Sequence, residues 1–324
     1  MPTRHSALRV LPALLLILTG TTAINTHAAS APAYPAKPIR IVTSLAGGGN
    51  DFAARVMALG LTAPLGQPVI VDNRGGELAP EIVAKAVPDG YTLLVAGSSF
   101  WIGPLMHKSA WDPVKDFAPI SFTTSAPNVL VSHPSLAVSS IKELIDYAKA
   151  KPGTLNYGSS AIGAAAHLAG ELFKSMTGVN IVHIPYKGQG AANAAILGGE
   201  VQLTFATPAP ITALLKSGKL KALAVTSAKP TALLPGVPTI AATVPGFQIG
   251  SATSIAAPAR TPAAIINRLN QEVVKLLNQS DVKEKFFNVG VEVVGSTPQE
   301  FGAAMKSEMS RLGKVIKDAG LYDK

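Results

Sequence analysis

Apolar and polar residues follow two patterns that alternate along this chain of 324 residues. Short runs rich in valine, isoleucine and leucine recur, and such runs are typical of buried strands. We predict eight strands, at Ile39–Ser44, Val69–Asp72, Tyr91–Ala96, Val129–His133, Leu155–Gly158, Ile181–Ile184, Val201–Phe205 and Lys221–Thr226. Between them, apolar residues stand three or four positions apart, which predicts helices. These are Asp51–Leu65, Ala79–Ala86, Ile141–Lys151, Ala164–Thr177, Gly190–Leu197 and Ala209–Ser217. Strands that alternate with helices indicate an α/β fold with mixed, mainly parallel sheets.

The pattern changes after Thr226. A stretch rich in proline and glycine follows, and two long helical patterns then flank a short apolar run at Val291–Val294. A chain that builds one α/β lobe, then a second, and returns to finish on the first would show this order. We therefore predict lobe 1 from residues 32–126 and 251–324 and lobe 2 from residues 127–250. Folds of this kind bind ligands in the crevice at the carboxyl ends of the strands.

The first residues have the pattern of a secretory signal peptide. Arg4, His5 and Arg9 form a basic start, Val10 to Leu18 form an apolar core, and small residues follow at 28–31. The apolar core is too short to span a membrane, so a membrane anchor is disfavoured. We predict a signal peptide over residues 1–29, export to the periplasm, and a soluble mature protein.

Charge and cysteine content exclude several classes of function. The net charge of +9 falls to about +7 without Arg4 and Arg9. The basic residues are scattered along the chain and only 6% of residues are aromatic, so binding to nucleic acid is disfavoured. The chain has 0 cysteines, which excludes disulfides, thiolate metal sites and a lipid-anchored cysteine. No histidine pair after the signal peptide has the i, i+4 spacing of a zinc motif. We predict no metal and no cofactor.

Two turns rich in glycine and serine are the candidate binding elements. One covers 45–50 and the other 159–163, and each follows a predicted strand and opens a predicted helix. A helix N-terminus leaves main-chain N–H groups free and carries partial positive charge, which makes it a site for anions. Two such turns that face each other would hold a small anion between them.

Ten motifs in order along the chain carry a family resemblance. They are YPAKPIRIV (34–42), GGNDFAAR (48–55), LGQPVIVDNR (65–74), PDGYTLL (88–94), DPVKDFAPI (112–120), KELIDYAKA (142–150), LNYGSS (155–160), AHLA (166–169), VHIPYKG (182–188) and LPGVPT (234–239). With them the chain resembles the Bug family, the periplasmic solute receptors of tripartite tricarboxylate transporters. The resemblance covers essentially the whole mature chain.

The resemblance implies a two-lobed Venus-flytrap receptor of the type II periplasmic binding protein class. Such a receptor is no enzyme. It holds a small carboxylate largely through main-chain amides and passes it to integral-membrane transporter subunits. We expect the protein to be a monomer. The implied ligand-binding residues are Leu45, Ala46, Gly47, Gly48, Asn50, Asp51, Ser98, Ser159, Ser160, Ala161, Gly163, Ala164, His167, Lys187 and Thr207.

The chain departs from the family pattern at several positions near the expected site. Ala161 stands where glycine is usual, Ala164 where threonine or serine is usual, and Ala252 where a tryptophan is often found. An additional pair, Phe100–Trp101, follows two serines. These differences predict an altered distal wall of the pocket.

Other roles remain open from the residues alone. Asp51 could cap its helix instead of contacting ligand, and His167 could be a core or capping histidine. A receptor of this kind could also serve a signalling partner as a carboxylate sensor. An exported hydrolase would need a triad such as Ser159, His167 and Asp51, but the chain lacks a Gly-x-Ser-x-Gly elbow, which disfavours it.

Overall fold

The computed structural model describes Met1 and residues 34–75, 78–160 and 162–322. The predicted signal peptide beyond Met1, and Ala161, therefore lie outside the described residues. The strands are β1 (Ile39–Thr43), β2 (Val69–Asn73), β3 (Thr92–Gly97), β4 (Phe117–Pro127), β5 (Val129–Ser132), β6 (Asn156–Ser159), β7 (Val182–Pro185), β8 (Leu203–Ala206), β9 (Lys221–Val225), β10 (Gly250–Pro258) and β11 (Glu292–Val293). The α-helices are α1 (Gly49–Leu65), α2 (Leu78–Ala84), α3 (Ser99–Ile102), α4 (Ile141–Ala150), α5 (Ala165–Thr177), α6 (Gln189–Leu197), α7 (Pro208–Lys216), α8 (Ala263–Leu277), α9 (Ser280–Asn288) and α10 (Pro298–Asp318).

The strands form two mixed sheets. The first has six strands in the order β11-β4-β10-β3-β1-β2, and the second has five in the order β7-β6-β8-β5-β9. In the first sheet β1, β2, β3 and β4 run in one direction and β10 and β11 run in the other. In the second sheet only β5 opposes the rest. The predicted α/β fold with mixed, mainly parallel sheets is confirmed.

The chain leaves the first sheet and returns to it at neighbouring points. It passes directly from β4 to β5 and comes back after β9 to form β10, where Gly250 pairs with Pro127. Two hydrogen bonds join the connection between β4 and β5 to the segment that follows β9. The N–H of Asn128 donates to Thr226 Oγ1 at 2.8 Å, and the N–H of Thr226 donates to the Asn128 carbonyl at 2.8 Å. β4 and β10 therefore form one antiparallel pair that links the first sheet to the second.

Helices cover both faces of the first sheet, which explains why its inner strands are apolar throughout. In β1, Ile39 and Ile41 pack against α1 and α8, whereas Val42 faces the opposite side with α2 and α10. In β3, Leu93 and Leu94 divide between the two faces in the same way. Each such side chain contributes about 1.5–3 kcal/mol when it is fully buried.

The structure corrects the prediction for the C-terminal region. Three helices, α8, α9 and α10, replace the two long helical patterns, because the chain turns at Asn278 and Gln279. The Asn278 side chain donates to the carbonyl of Val274 at 3.1 Å and so ends α8. The last helix begins at a full capping box between Thr297 and Glu300.

Candidate functional site

The buried carboxylate of Asp51 holds the loop between β1 and α1 in place through hydrogen bonds and an ion pair. It accepts hydrogen bonds from the N–H of Gly47 at 2.9 Å and from Asn73 Nδ2 at 2.8 Å, and it pairs with Arg55 Nε at 2.9 Å. The bond from Arg55, helped by those from Gly47 and Asn73, lowers the pKa of Asp51 to about 2. Asp51 is buried, and its contacts fix the shape of the loop.

Helix α1 begins at a residue that has no side chain to cap it. Gly48 precedes the helix in an extended conformation, and the first main-chain N–H with a helical acceptor is that of Phe52, which donates to the Gly48 carbonyl at 3.0 Å. The N–H groups of Gly49, Asn50 and Asp51 have no acceptor among the described residues. The first turn therefore presents free donors where the helix dipole is positive.

Helix α5 begins in the same way after β6. Ala164 precedes it with an extended backbone and no side-chain acceptor, and the N–H of Leu168 is the first to donate into the helix, to the Ala164 carbonyl at 2.9 Å. The preceding Gly163 has φ +78°, a conformation that glycine adopts at no cost. Its own N–H is already used, because it donates to Nδ1 of His167 at 2.9 Å.

A cluster of polar side chains lies beneath the second turn. Ser159 Oγ is 2.7 Å from His183 Nε2, and the rings of His167 and His183 stack with centroids 3.9 Å apart. The Tyr157 hydroxyl donates to Glu171 Oε1 at 2.7 Å. Burial lowers the pKa of His167, and burial together with the neighbouring His167 lowers that of His183 to about 4. Both imidazoles are therefore neutral at physiological pH.

Both uncapped helix starts border one cavity of about 810 Å³. Its lining comes from the first sheet with its loops and helices and, on the other side, from the second turn and α5, and none of the described lining residues carries a charged side chain. The polar lining consists of glycines, hydroxyls and one amide, and the rest is apolar. Cavities of this size and character are typical of small-molecule sites.

Six of the predicted ligand-binding residues line this cavity: Gly47, Gly48, Asn50, Ser98, Gly163 and Ala164. Leu45 and Ala46 are exposed beside it, whereas Asp51, Ser159 and His167 are buried behind the two turns. Ser160, Lys187 and Thr207 do not line it, and Ala161 lies outside the described residues. The additional pair, Phe100 and Trp101, is buried in the core, where Trp101 Nε1 donates to Glu308 at 2.8 Å, so these two rings do not form the distal wall.

The sequence patterns missed a large part of the lining. The β4–β10 pair contributes Thr124, Ala126 and the run 250–253, which includes Ala252. Apolar groups come from further elements: Phe52, Ile102, Met106, Leu168, Phe286, Val289 and Val291. The departure at Ala252 from the pattern that the family resemblance implies is the one signal in the sequence that points to this wall.

The geometry gives little support to metal binding or to a hydrolytic triad. Among the residues that the structure describes, no group of three or more histidine, aspartate or glutamate side chains could hold a metal ion. Ser159 does meet a histidine, but the partner is His183, the serine is fully buried, and Asp51 lies in the first turn of α1 beside the other turn. Nor is any helix in the described ranges long and apolar enough to cross a bilayer.

Comparisons with known proteins identify the family and the fold of this chain. A family model described as "Tripartite tricarboxylate transporter family receptor" matches residues 53–321. Protein BugT of Bordetella pertussis is 36% identical over 299 residues, which cover 90% of this chain and 92% of BugT. The structure of R. palustris Rpa4515 with adipate is 37% identical, with a TM-score of 0.68, over 89% of this chain and 98% of that one. MatC from Rhodopseudomonas palustris with bound malate is 29% identical, with a TM-score of 0.65, over 87% of this chain and 100% of that one.

Proposed function

The chain belongs to the tripartite tricarboxylate transporter receptor family and is a solute-binding receptor of the Bug type, and on this basis we propose that it captures a small carboxylate at the N-termini of α1 and α5 for delivery to integral-membrane transporter subunits. One observation carries the proposal: two helices begin at residues without a side-chain acceptor, and both begin at the wall of the same cavity. Ser140 caps α4 and Thr297 caps α10 with a side chain, and α6, α7, α8 and α9, which also lack a side-chain cap, do not begin at this cavity. The free donors at the cavity are left for a ligand.

Main-chain donors alone are strong enough for such a site. A hydrogen bond to a charged group contributes roughly 1.5–3 kcal/mol, so four to six of them give a gross ~6–18 kcal/mol. Micromolar affinity needs about 8 kcal/mol after desolvation and ordering have been subtracted. The site therefore needs no arginine, which agrees with a lining free of charged side chains in the described residues.

We favour a linear dicarboxylate over other carboxylates. The side of the cavity near the first sheet offers Asn50, Ser98, Thr124 and Thr253 as partners for a second carboxylate, and Ile102, Met106 and Phe286 would contact a short methylene chain. The ligands named for the two related structures, adipate and malate, are both dicarboxylates. A cavity of about 810 Å³ accommodates either length.

We further propose that the two lobes are residues 32–126 with 251–324 and residues 127–250. Lobe 1 would then supply the start of α1 and lobe 2 the start of α5. A carboxylate bound to both would draw the lobes together, because each lobe gains contacts only when the ligand bridges them. The β4–β10 pair, which links the first sheet to the second, would act as the hinge.

The test is calorimetric titration of the purified protein with adipate and with malate. Dimethyl adipate and adipamide are neutral controls of the same length as adipate, and 1,6-diaminohexane is the corresponding dication. We expect one of the dicarboxylates to bind with micromolar affinity and to raise the melting temperature, since a ligand at 100 times its Kd stabilises the folded state by about 2.7 kcal/mol. The neutral analogues and the dication should not bind. If the diamine or sugars stabilise the protein and carboxylates do not, the proposal is wrong.

A further inference from the structure

The second turn is held by a histidine that does not line the cavity. His167 is buried in the first turn of α5, and its Nδ1 accepts the N–H of Gly163 at 2.9 Å. A main-chain N–H can only donate, so Nδ1 carries no proton while this bond exists. The bond ties Gly163, which lines the cavity, to the helix whose free N–H groups follow Ala164.

The surroundings of His167 disfavour its charged form. The ring of His183, on β7, stacks on it with centroids 3.9 Å apart. Tyr157, on β6, faces it at 6.5 Å, and on its own helix Glu171 Oε1 is 3.8 Å from Nε2. Glu171 is already engaged, because Lys174 lies 2.9 Å from both of its oxygens and Tyr157 donates to it. Burial and the Lys174 ammonium lower the pKa of His167, against the opposing effect of Glu171.

Protonation would remove the support of the turn. A proton on Nδ1 would face the N–H of Gly163, so the 2.9 Å hydrogen bond would be replaced by two opposed donors. It would also place a positive charge against the stacked ring of His183 and near Lys174. The turn and the start of α5 would then lose their fixed position relative to one another.

We propose that His167 is a positioning residue: it fixes the second turn for carboxylate capture only while its imidazole is neutral, so that acidification weakens the grip on the ligand. This inference rests on the proposed function, because it assumes that the start of α5 binds the carboxylate. It assigns His167 a role through Gly163 rather than direct contact with ligand. His183 and Ser159 complete the support from β7 and β6.

Two substitutions separate this role from a merely structural one. Asparagine places its Oδ1 where imidazole places Nδ1, so His167→Asn keeps an acceptor for Gly163 that does not titrate. His167→Leu removes the acceptor at every pH. His133→Asn is the matched control, since His133 Nδ1 also accepts a main-chain N–H, that of Ser135 at 3.2 Å, but lies away from the cavity lining.

The experiment compares adipate affinity at about pH 7.5 and about pH 5 for the four proteins. Protonation of adipate itself affects all of them equally. We expect the Kd of the wild type to rise more steeply than that of His167→Asn on acidification, because only the wild type can gain a proton at this position. His167→Asn should recover most of the affinity that His167→Leu loses at neutral pH, and His133→Asn should follow the wild type. Equal pH dependence in the wild type and His167→Asn would overturn the inference.

A second measurement needs no ligand. Hydrogen exchange of the Gly163 amide reports the bond to His167 directly. We expect its protection to fall on acidification in the wild type and to persist in His167→Asn. If the wild-type Gly163 amide stays equally protected at about pH 5, the inference about His167 is wrong even where adipate binds. If the amide behaves as expected but adipate and malate do not bind at neutral pH, the proposed function is wrong instead.

Discussion

At the scale of single residues, Gly48 and Ala164 both lack a side-chain oxygen that could cap the helix that follows. Most helix starts are capped by serine, threonine, aspartate or asparagine, because one side-chain oxygen then satisfies an otherwise free N–H. Glycine and alanine leave these donors open, and here both positions lie on the wall of one cavity. Under the proposed function, the stability that a side-chain cap would add at these two starts is given up in exchange for donors that can bind an anion.

Replacing Ala164 with aspartate should separate stability from binding. The Ala164 backbone is extended, with φ −65° and ψ 156°, which suits a capping side chain. The new carboxylate should stabilise α5 by about 0.5–2 kcal/mol, and it should lower adipate affinity by at least about tenfold because it occupies the same donors and repels the ligand. Denaturant titration and calorimetry measure the two effects.

Gln279→Asp is the control for this substitution. Gln279 precedes α9 with a similar backbone, φ −67° and ψ 138°, has no side-chain cap, and does not line the cavity. It gains the same charge and the same cap, so it should change stability in the same direction and leave affinity unaltered. Adipate binding by Ala164→Asp as tight as that of the wild type would argue against the main-chain site.

At the scale of elements, α5 follows the second turn and contributes His167 and Glu171 to the cluster beneath it. Its close approach to β6 depends on Gly170, where a Cβ atom would overlap the ring of Tyr157. That ring is buried and held by Glu171, so it has no room to move away. The position of the helix start at the cavity thus depends on a contact one turn further along.

Gly170→Ala should therefore destabilise the protein, by about 1–3 kcal/mol, because the added methyl group overpacks the core. Gly190→Ala is the matched control, since Gly190 is also helical but a Cβ there would meet nothing within 4 Å. It should stabilise the protein by about 0.5–1 kcal/mol through the higher helix propensity of alanine. Urea denaturation measures both. A neutral or stabilising Gly170→Ala would contradict the packing described for α5 and β6.

The sequence predicts the elements well where the pattern is local. All eight strands predicted from apolar runs are present, with their ends shifted by no more than two residues. The two strands that link the sheets were missed, because β4 contains Pro119 and Pro127 and β10 is built mainly from serine, threonine and alanine. Such composition is weak evidence for a strand, and it is the pairing of the two that makes them strands.

The same limit applies to the site. The glycines of both turns were found because a turn between strand and helix is a local signal. The wall at 250–253 was not found, since its position depends on the pairing of Gly250 with Pro127, far away in sequence. His167 could be placed in the first turn of α5 from sequence, but its bond to Gly163 depends on how the turn folds back.

At the scale of the whole molecule, the receptor family and the described α/β fold agree on a protein that binds solutes. The family is periplasmic, and the chain begins with a basic and then an apolar segment. Export would place the binding cavity where small carboxylates arrive from outside. The net charge of about +7 expected after processing would draw anions toward the protein at low ionic strength.

Mass spectrometry of the exported protein tests this placement. We expect a mature N-terminus between Ala28 and Ala31, released into the soluble fraction. Leu15→Arg puts a charge into the apolar core of the segment and should block processing. Ser6→Arg adds the same charge to the basic start and should be processed normally. An intact Met1 in the membrane fraction would reject the signal-peptide prediction.

The position of β10 has a consequence for how the chain reaches its fold. This strand is formed by residues 250–258, yet it lies in the middle of the first sheet, between β3 and β4. Those two strands are complete by residue 127 but have no partner between them until more than a hundred further residues have been made. Contacts that join such distant segments form slowly, because the long loop must be closed first. The six-stranded sheet therefore cannot be completed by the emerging N-terminal part alone, and we expect this late completion to favour export of the chain before it has folded.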